Sequence, residues 1–217
     1  MLSYFIIIFY IVIIFAITIV YKIFNPNNKE LLRKIIHIGI GPLIPIAKYL
    51  DIGQTIAIIL TGVISFLILL NYKYKLFPII EDVDRKSYGT FFYCFSLLIL
   101  IILFWNKDPI SLIVGFFLMT FGDGLAGLIG KNFQSKAWSI FKQKKSFFGT
   151  ITMFSSSLLI LVSMTYLGGY QLNYYVLIIA IFSTLLEQIS VVGVDNLTVP
   201  IFSSLSFNLL ISKLPFN

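Results

Sequence analysis

The chain has 217 residues, of which 59% are hydrophobic and only 12% are charged. Soluble domains carry about a quarter charged residues, so this composition excludes an ordinary soluble domain and indicates an integral membrane protein. The long unbroken apolar runs are typical of membrane helices and exclude a barrel of short alternating strands. Membrane topology and anionic lipids explain the formal net charge of +7, so no nucleic-acid partner is expected.

Hydropathy predicts an all-α protein, a polytopic membrane bundle of about seven to eight transmembrane helices in a single domain covering residues 1–217. The predicted spans are 2–21, 35–50, 53–70, 90–105, 109–130, 148–167 and 174–194, with a weaker segment at 197–214. The first span has no preceding basic region and no small-residue cleavage site, so we expect it to be retained in the protein. Pro42 and Pro45 are expected to kink the second span, and a tight turn is expected at 51–53.

Basic residues are unevenly distributed among the predicted loops. With the N-terminus outside, loops 22–34, 71–88 and 131–147 face the cytoplasm and hold 13 of the 16 basic residues. Cytoplasmic loops of membrane proteins are enriched in lysine and arginine, so the sequence predicts this orientation. Seven of the nine acidic residues and the only histidine, His37, fall near the same side. The charge rule does not require these acids, and we therefore predict a polar site on the cytoplasmic face.

The first candidate site lies where the second span begins. Arg33 and His37 are four residues apart and share one face of a helix, and Glu30 precedes them by one turn. With Lys34, this face offers cations and an imidazole to a phosphate group. The alternative is an ordinary basic cluster beside the membrane, with His37 buried and hydrogen-bonded.

The second candidate is Asp123 in the sequence GDGLAGLIG, residues 122–130 of an otherwise apolar span. A charge inside a membrane span costs from about 3 to more than 10 kcal/mol, so a chain retains it for a cavity, a cation or a metal. A carboxylate here is suited to a divalent metal that bridges phosphate oxygens. Helix packing is the alternative: Gly122, Ala126 and Gly130 form a small-residue face, which explains the glycines but not the acid.

The third candidate is the lysine-rich stretch KQKKSFFGT at residues 142–150. Lysines and hydroxyl groups that enter a helix across a glycine can bind phosphates by charge and by backbone N–H groups. The order of residues is not that of a P-loop, because GxxxxGK[ST] is absent. An ordinary lysine-rich cytoplasmic loop is the alternative. The candidate residues are Lys144, Lys145, Ser146, Gly149 and Thr150.

The fourth candidate combines Glu187 with Asp195 and Asn196. Glu187 falls within a predicted span and needs a partner there. Asp195 and Asn196 lie at the cytoplasmic end of the same span, where they could bind a second metal or orient a hydroxyl group. A turn and a helix cap are the alternative explanation of these two residues.

Two other features carry no predicted site. The loop 81–86 mixes acidic and basic residues and is interpreted as solvated and self-paired. The single cysteine, Cys94, excludes an intrachain disulfide and a cysteine-rich metal cluster, and we interpret it as a packing residue.

Four stretches of this chain occur in a fixed order: RKIIHIGIG at 33–41, GDGLAGLIGK at 122–131, KKSFFGT at 144–150 and EQISVVGVDNLTVP at 187–200. The ordered set resembles the family of dolichol kinases, phytol kinases and CTP-dependent diacylglycerol kinases, which is related to the phosphatidate cytidylyltransferases. The chain resembles phytol kinases most, because it has little besides the shared core. The family often carries an acid before the glycine of the Lys-Ser motif, whereas this chain has Phe148.

The resemblance implies a membrane kinase that transfers the γ-phosphate of CTP to a lipid alcohol, such as phytol or a related isoprenoid. It also implies Mg²⁺ or another divalent metal as cofactor, and membrane lipids as surroundings. Asp123 and Asp195 are expected to hold the metal, Glu187 or Asp195 to orient the hydroxyl group, and His37 to hold a phosphate oxygen or assist the proton. The implied nucleotide-binding residues are Arg33, Lys34, Lys144, Lys145, Ser146, Gly149, Thr150 and Asn196.

Other functions remain open from the sequence. A cytidylyltransferase would attack the α-phosphate and release pyrophosphate, whereas a kinase leaves CDP. A dolichol or diacylglycerol kinase would differ only in the acceptor. A small transporter is a further alternative, although the inverted repeats typical of transporters are absent from the sequence.

Overall fold

The computed structural model describes residues 1–26, 28–74, 88–141 and 143–214. Its helices are α1 (Leu2–Phe24), α2 (Lys29–Gly39), α3 (Leu43–Tyr49), α4 (Gln54–Tyr74), α5 (Gly89–Phe104), α6 (Pro109–Phe117), α7 (Gly124–Asn132), α8 (Phe147–Leu167), α9 (Tyr175–Ile189) and α10 (Asp195–Leu210). A π-helical segment, Leu118–Asp123, joins α6 to α7. Two short strands, β1 (Ala137–Ile140) and β2 (Gln143–Ser146), form an antiparallel hairpin before α8.

Four helical segments are long and apolar enough to cross a membrane, namely Leu2–Phe24, Gln54–Tyr74, Pro109–Asn132 and Phe147–Leu167. The apolar helices α5 and α9 are shorter. The predicted all-α architecture is confirmed, and the four segments indicate a membrane protein. The count of seven to eight spans stays a prediction, because only these four segments of the described chain meet the length and hydropathy expected of a span.

The second predicted span is broken near its middle. Helix α2 ends at Gly39, and Pro42 occupies the position before α3, where its missing N–H group removes no helical hydrogen bond. Asp51 adopts a positive φ of 54° in the turn that follows α3, and the indole of Trp105 donates to the carbonyl of Ile52 at 3.2 Å. The break and the turn are therefore present as predicted. The mixed-charge loop 81–86 lies outside the described residues.

The core consists of two apolar clusters that share the α6–π–α7 segment. Phe116 and Met119 are fully buried in the cluster around Trp105, whereas Val114 and Leu118 are fully buried in the cluster around helices α8 to α10. The segment therefore runs through the centre of the bundle. This position fixes Asp123, at the end of the π-helical segment, against neighbours on both sides.

A β-hairpin occupies part of the predicted lysine-rich loop 131–147. Trp138 lies opposite Lys145, and Ile140 lies opposite Gln143. Phe141 in the turn adopts a positive φ of 48°. The sequence predicted only a loop here. Strands of four residues are too short to show hydrophobic periodicity, so the hairpin could not be predicted. Its consequence is that Lys144 and Lys145 project from a paired strand with a defined direction.

Candidate active site

A cavity of about 940 Å³ lies at one end of the bundle, between the hairpin and the ends of α2, α7, α8, α9 and α10. Pockets of roughly 300–1,000 Å³ are typical of small-molecule sites. Eleven of the twelve sequence-predicted site residues line this cavity: Arg33, Lys34, Asp123, Lys144, Lys145, Ser146, Gly149, Thr150, Glu187, Asp195 and Asn196. The structure thus brings together four motifs that are spread over more than 150 residues of the sequence.

Three carboxylates converge in the cavity. Asp123 ends the π-helical segment, Glu187 lies near the end of α9, and Asp195 begins α10. One carboxylate oxygen from each lies within 4.8 Å of the others. Such a set contains only hard oxygen donors, which Mg²⁺ and Ca²⁺ prefer to nitrogen or sulfur. We refer to Asp123, Glu187 and Asp195 as the acid triad.

Lys34 compensates the charge of Asp123. Its ammonium nitrogen lies 2.8 Å from Oδ2 of Asp123 and 3.0 Å from the backbone carbonyl oxygen of the same residue. The lysine is buried, and it passes beside Gly127, where a Cβ atom would lie 2.7 Å from the Cε atom of Lys34. The absence of a side chain at Gly127 therefore leaves the space that Lys34 needs to reach the acid.

Lys145 compensates the charge of Glu187. Its ammonium group contacts a carboxylate oxygen of Glu187 and donates to the backbone carbonyl of that residue at 2.6 Å. The amide nitrogen of Gln188 donates to the other carboxylate oxygen at 2.8 Å and to the hydroxyl of Thr150 at 2.9 Å. Glu187 is thus held from two directions, which fixes the orientation of its carboxylate.

Asp195 differs from the other two acids because, among the described residues, no cation pairs with it. Its Oδ1 atom accepts from the backbone N–H of Asn196 at 3.0 Å, and its own N–H donates to Ser190 at 2.7 Å. Burial, followed by the negative charge of Asp123, raises the pKa of the Asp195 carboxyl. A carboxylate in this situation is stabilised by a cation that enters the cavity.

His37 lies behind Asp123 and is the one predicted site residue outside the cavity lining. Its Nε2 atom is 3.1 Å from the carbonyl oxygen of Met119 and 3.5 Å from Oδ2 of Asp123. The ring packs against Tyr93, whose hydroxyl donates to the His37 carbonyl at 3.1 Å. The geometry corresponds to the buried, hydrogen-bonded alternative, and it lets His37 support Asp123 from the side of the π-helical segment.

The first N–H groups of α8 all have protein partners. Phe147 donates to the carbonyl of Lys136 at 2.9 Å, Phe148 donates to Ser135 at 3.3 Å, and Gly149 donates to Ser146 at 3.2 Å. Ser146 is thus an N-cap of the usual kind. We expected these donors to face a phosphate, but the cap and the preceding loop occupy them. Phosphate binding by the lysines of β2 stays a prediction.

The small-residue face of α7 packs as the alternative explanation predicted. A Cβ atom at Gly130 would lie 2.6 Å from the Ser146 hydroxyl and 3.2 Å from the Cα of Gly149. Helices α7 and α8 therefore cross in backbone contact. Packing therefore explains the glycines, whereas the acid of the same motif lines the cavity and its predicted role in metal binding stays a prediction.

Two residues that hold the acid triad in place were not predicted from the sequence. Gln188 bridges Glu187 and Thr150, and Ser190 accepts the N–H of Asp195. Gln188 could have been predicted as a site residue, because an amide next to Glu187 in an apolar helix needs a polar partner there, as the acid does. No comparable signal distinguishes Ser190, whose role depends on the turn between α9 and α10.

The fold and the cavity define an α-helical membrane protein with an acid triad and two buried lysine–acid pairs at one end of its bundle. Neither a protein-family model nor a solved structure matches the chain. The chain is nevertheless similar in sequence to several named proteins. A phytol kinase of Synechocystis is 37% identical over 180 residues, which cover 81% of this chain and 77% of the relative.

Plant proteins give the same result. A probable chloroplastic phytol kinase 2 of Glycine max is 32% identical, over 85% of this chain and 67% of the relative. The chloroplastic phytol kinase 1 of Arabidopsis thaliana is 27% identical, over 84% of this chain and 67% of the relative. The chain belongs to the phytol kinase family, which confirms the resemblance drawn from the four motifs.

Proposed function

We propose that this protein is a membrane kinase that transfers the γ-phosphate of CTP to phytol or a closely related isoprenoid alcohol. The observation that carries the proposal is the acid triad, whose oxygens lie within 4.8 Å of one another in a cavity that is also lined by lysines. Phosphoryl transfer depends mainly on positioning and on neutralising negative charge, and this cavity offers groups for both. The names of the relatives support phytol as the acceptor.

The donor set of the cavity fits Mg²⁺. Asp123 and Asp195 would hold the ion. Asn196 also lines the cavity, and its Oδ1 atom is buried and has no hydrogen-bond partner in the described part of the chain. Bound Mg²⁺ would neutralise charge on the phosphate oxygens. Asp195 supports this assignment best, because it is the acid of the triad that has no paired lysine among the described residues.

The chain's own residues would then hold and orient the reactants. Arg33 and Lys144 line the cavity and would bind the oxygens of the triphosphate. Glu187, fixed by Lys145 and Gln188, would orient the hydroxyl group and accept its proton. The alcohol oxygen forms a bond to the γ-phosphorus, the bond from that phosphorus to the β–γ bridging oxygen breaks, and CDP leaves.

The expected acceptor follows from the small amount of chain outside the helices. A substrate with a large polar head would need an extramembrane pocket, yet the predicted loops are shorter than about 20 residues. An isoprenoid with one hydroxyl group needs only a groove between helices and a phosphate site at its mouth. We infer that the alcohol reaches the cavity from the bilayer, and that the cavity faces the cytoplasm, where nucleotides are found.

The decisive experiment uses purified protein in detergent micelles with Mg²⁺ and CTP labelled in the γ-phosphate. Phytol, geranylgeraniol, dolichol and diacylglycerol are compared at matched mole fraction. We expect labelled phytyl phosphate and free CDP. Pyrophosphate as the product would indicate a cytidylyltransferase, a clear preference for diacylglycerol or dolichol would reassign the acceptor, and faster turnover with ATP would reassign the donor.

A further inference from the structure

Four uncharged residues in or beside the hairpin line the cavity and take no part in the proposed reaction. They are Phe133, Gln134 and Ser135, which follow α7, and Gln143 at the start of β2. We refer to these four residues as the neutral wall. The acid triad and the lysines also line the cavity, so the lining offers both charged and uncharged groups.

Phe133 is the aromatic residue of this neutral wall, and 59% of it is exposed. Its backbone is extended, with φ −107° and ψ 125°, directly after the last turn of α7. The loop that follows is held by the start of α8, because Phe147 donates to Lys136 and Phe148 donates to Ser135. An exposed aromatic ring on a fixed backbone is a suitable surface for stacking a planar group.

Gln134 and Gln143 add hydrogen-bonding groups to the neutral wall. In the part of the chain that the structure describes, neither amide side chain has an internal partner, although both line the cavity. Each amide offers a donor and an acceptor together. Gln143 precedes Lys145 by two residues on β2, about 7 Å along the strand, and Lys145 contacts Glu187 of the triad.

We propose that this neutral wall, Phe133 with Gln143 and Gln134, is the nucleobase subsite of the cavity. The phosphates of a nucleotide require the lysines and the metal, so its uncharged aromatic end is left to the uncharged lining residues. Phe133 stacks on the base, and the amide of Gln143 contacts its polar edge. The amino donor and ring acceptors of cytosine match the acceptor and donor of one amide. This inference rests on one part of the proposed function, namely that the phosphate donor is a nucleotide. It does not depend on which alcohol is the acceptor.

The test measures binding of CTP and of inorganic triphosphate in the presence of Mg²⁺ and without any alcohol, by calorimetry. Phe133→Ala is expected to weaken CTP binding roughly tenfold or more, the usual effect of removing one stacking ring. Binding of inorganic triphosphate, which has no base, is expected to stay unchanged. Phe133→Trp should retain CTP affinity, and Gln143→Ala should reduce the preference for CTP over UTP.

Phe141→Ala is the matched control, because Phe141 is 71% exposed in the turn of the same hairpin but lies outside the cavity lining. It should bind CTP as the wild type does. Phe133→Leu keeps an apolar side chain and removes only the ring, so it serves if Phe133→Ala does not fold. Unchanged CTP affinity, or equal weakening of CTP and triphosphate, would overturn the proposal.

The two proposals fail separately in this design. If CTP binding depends on Phe133 but no lipid alcohol is phosphorylated, the base subsite stands and the proposed reaction is wrong. If phytol is phosphorylated and Phe133→Ala changes only the Michaelis constant for phytol, the ring contacts the alcohol instead, and the base subsite is wrong.

Discussion

Lys34 and Asp123 are 89 residues apart in sequence, yet the lysine nitrogen lies 2.8 Å from the aspartate oxygen. Lys34 is 3% exposed, so the pair is screened little by solvent. Breaking a buried ion pair by removing one partner typically costs about 3–5 kcal/mol, because the remaining charge is left without compensation. The pair therefore connects α2 to the end of the π-helical segment, and it holds the carboxylate of Asp123 in one direction within the acid triad.

Asp123→Asn is expected to abolish phosphoryl transfer while preserving the volume of the side chain. Loss of a charge that acts on the transferring phosphate should reduce kcat by about 10³-fold or more. The measurement is labelled phosphate transfer to phytol by variant protein with a wild-type elution profile. Asp51→Asn is the control, because Asp51 lies exposed in the turn between α3 and α4 and asparagine tolerates its positive φ. Turnover above about a tenth of the wild-type rate for Asp123→Asn would refute the assignment.

Gly127→Ala is expected to impair the enzyme although it adds only one methyl group. The new Cβ atom would lie 2.7 Å from Cε and 2.9 Å from Nζ of Lys34, so the flexible end of the lysine must shift from its position against Asp123. We expect kcat to fall at least tenfold with little change in melting temperature, because the end of this side chain can move. Gly62→Ala is the matched control, because a Cβ atom at Gly62 in α4 has no neighbour within 4 Å. That variant should be neutral or gain up to about 1 kcal/mol of stability. Equal behaviour of the two variants would contradict the role given to Gly127.

The two lysines of β2 are expected to respond differently to replacement by glutamine. Lys144 is exposed in the cavity, so Lys144→Gln should raise the Michaelis constant for CTP several-fold and leave that for phytol and the melting temperature unchanged. Lys145→Gln leaves the buried Glu187 without its cation, so it should lower kcat and cost several kcal/mol of stability. Lys136→Gln, an exposed lysine outside the cavity lining, is the control. Equal increases of the two Michaelis constants would show that Lys144 does not bind the nucleotide.

Chelation of divalent metal is expected to stop the reaction, and added Mg²⁺ to restore it. Because no described lysine pairs with Asp195, Asp195→Asn should increase the Mg²⁺ concentration needed for half-maximal activity by at least tenfold. Electron paramagnetic resonance with Mn²⁺ measures binding directly and without turnover. The wild type should bind Mn²⁺ and Asp195→Asn should bind it more weakly. Full activity in excess chelator, or unchanged Mn²⁺ binding in the variant, would remove the metal from the proposal.

The long apolar helices and the break at Pro42 could be predicted because each depends on local sequence. Apolar runs of about 20 residues define membrane helices, and proline removes a donor wherever it stands. A common site for Asp123, Glu187 and Asp195 could also be predicted, because acids are rare in apolar segments and mark functional sites when they occur there. The distances between them could not be predicted, because these depend on how the π-helical segment, α9 and α10 pack.

The details of the site depend on contacts between distant segments and could not be read from the sequence. The partner of Asp123 in the described chain is Lys34, and the space for it comes from Gly127, on another helix. The hairpin leaves no periodic signal in four-residue strands. The π-helical segment leaves none either, because an extra residue per turn does not change the apolar composition. The predicted role of His37 in phosphate or proton chemistry stays a prediction.

The orientation of the protein in the membrane is the last prediction, and it decides whether the cavity meets nucleotide. The predicted cytoplasmic loops hold 13 of the 16 basic residues, and the β-hairpin of the cavity lies in one of them. Ser139 in β1 and Gln171 between α8 and α9 are both exposed and lie on opposite predicted sides. Single cysteines at these positions, in a Cys94→Ala background, are treated with an impermeant maleimide in intact cells. We expect labelling at position 171, and labelling at position 139 only after permeabilisation, which also serves as the positive control. The reverse pattern would place the cavity outside, away from cellular CTP, and would refute both the topology and the proposed phosphate donor.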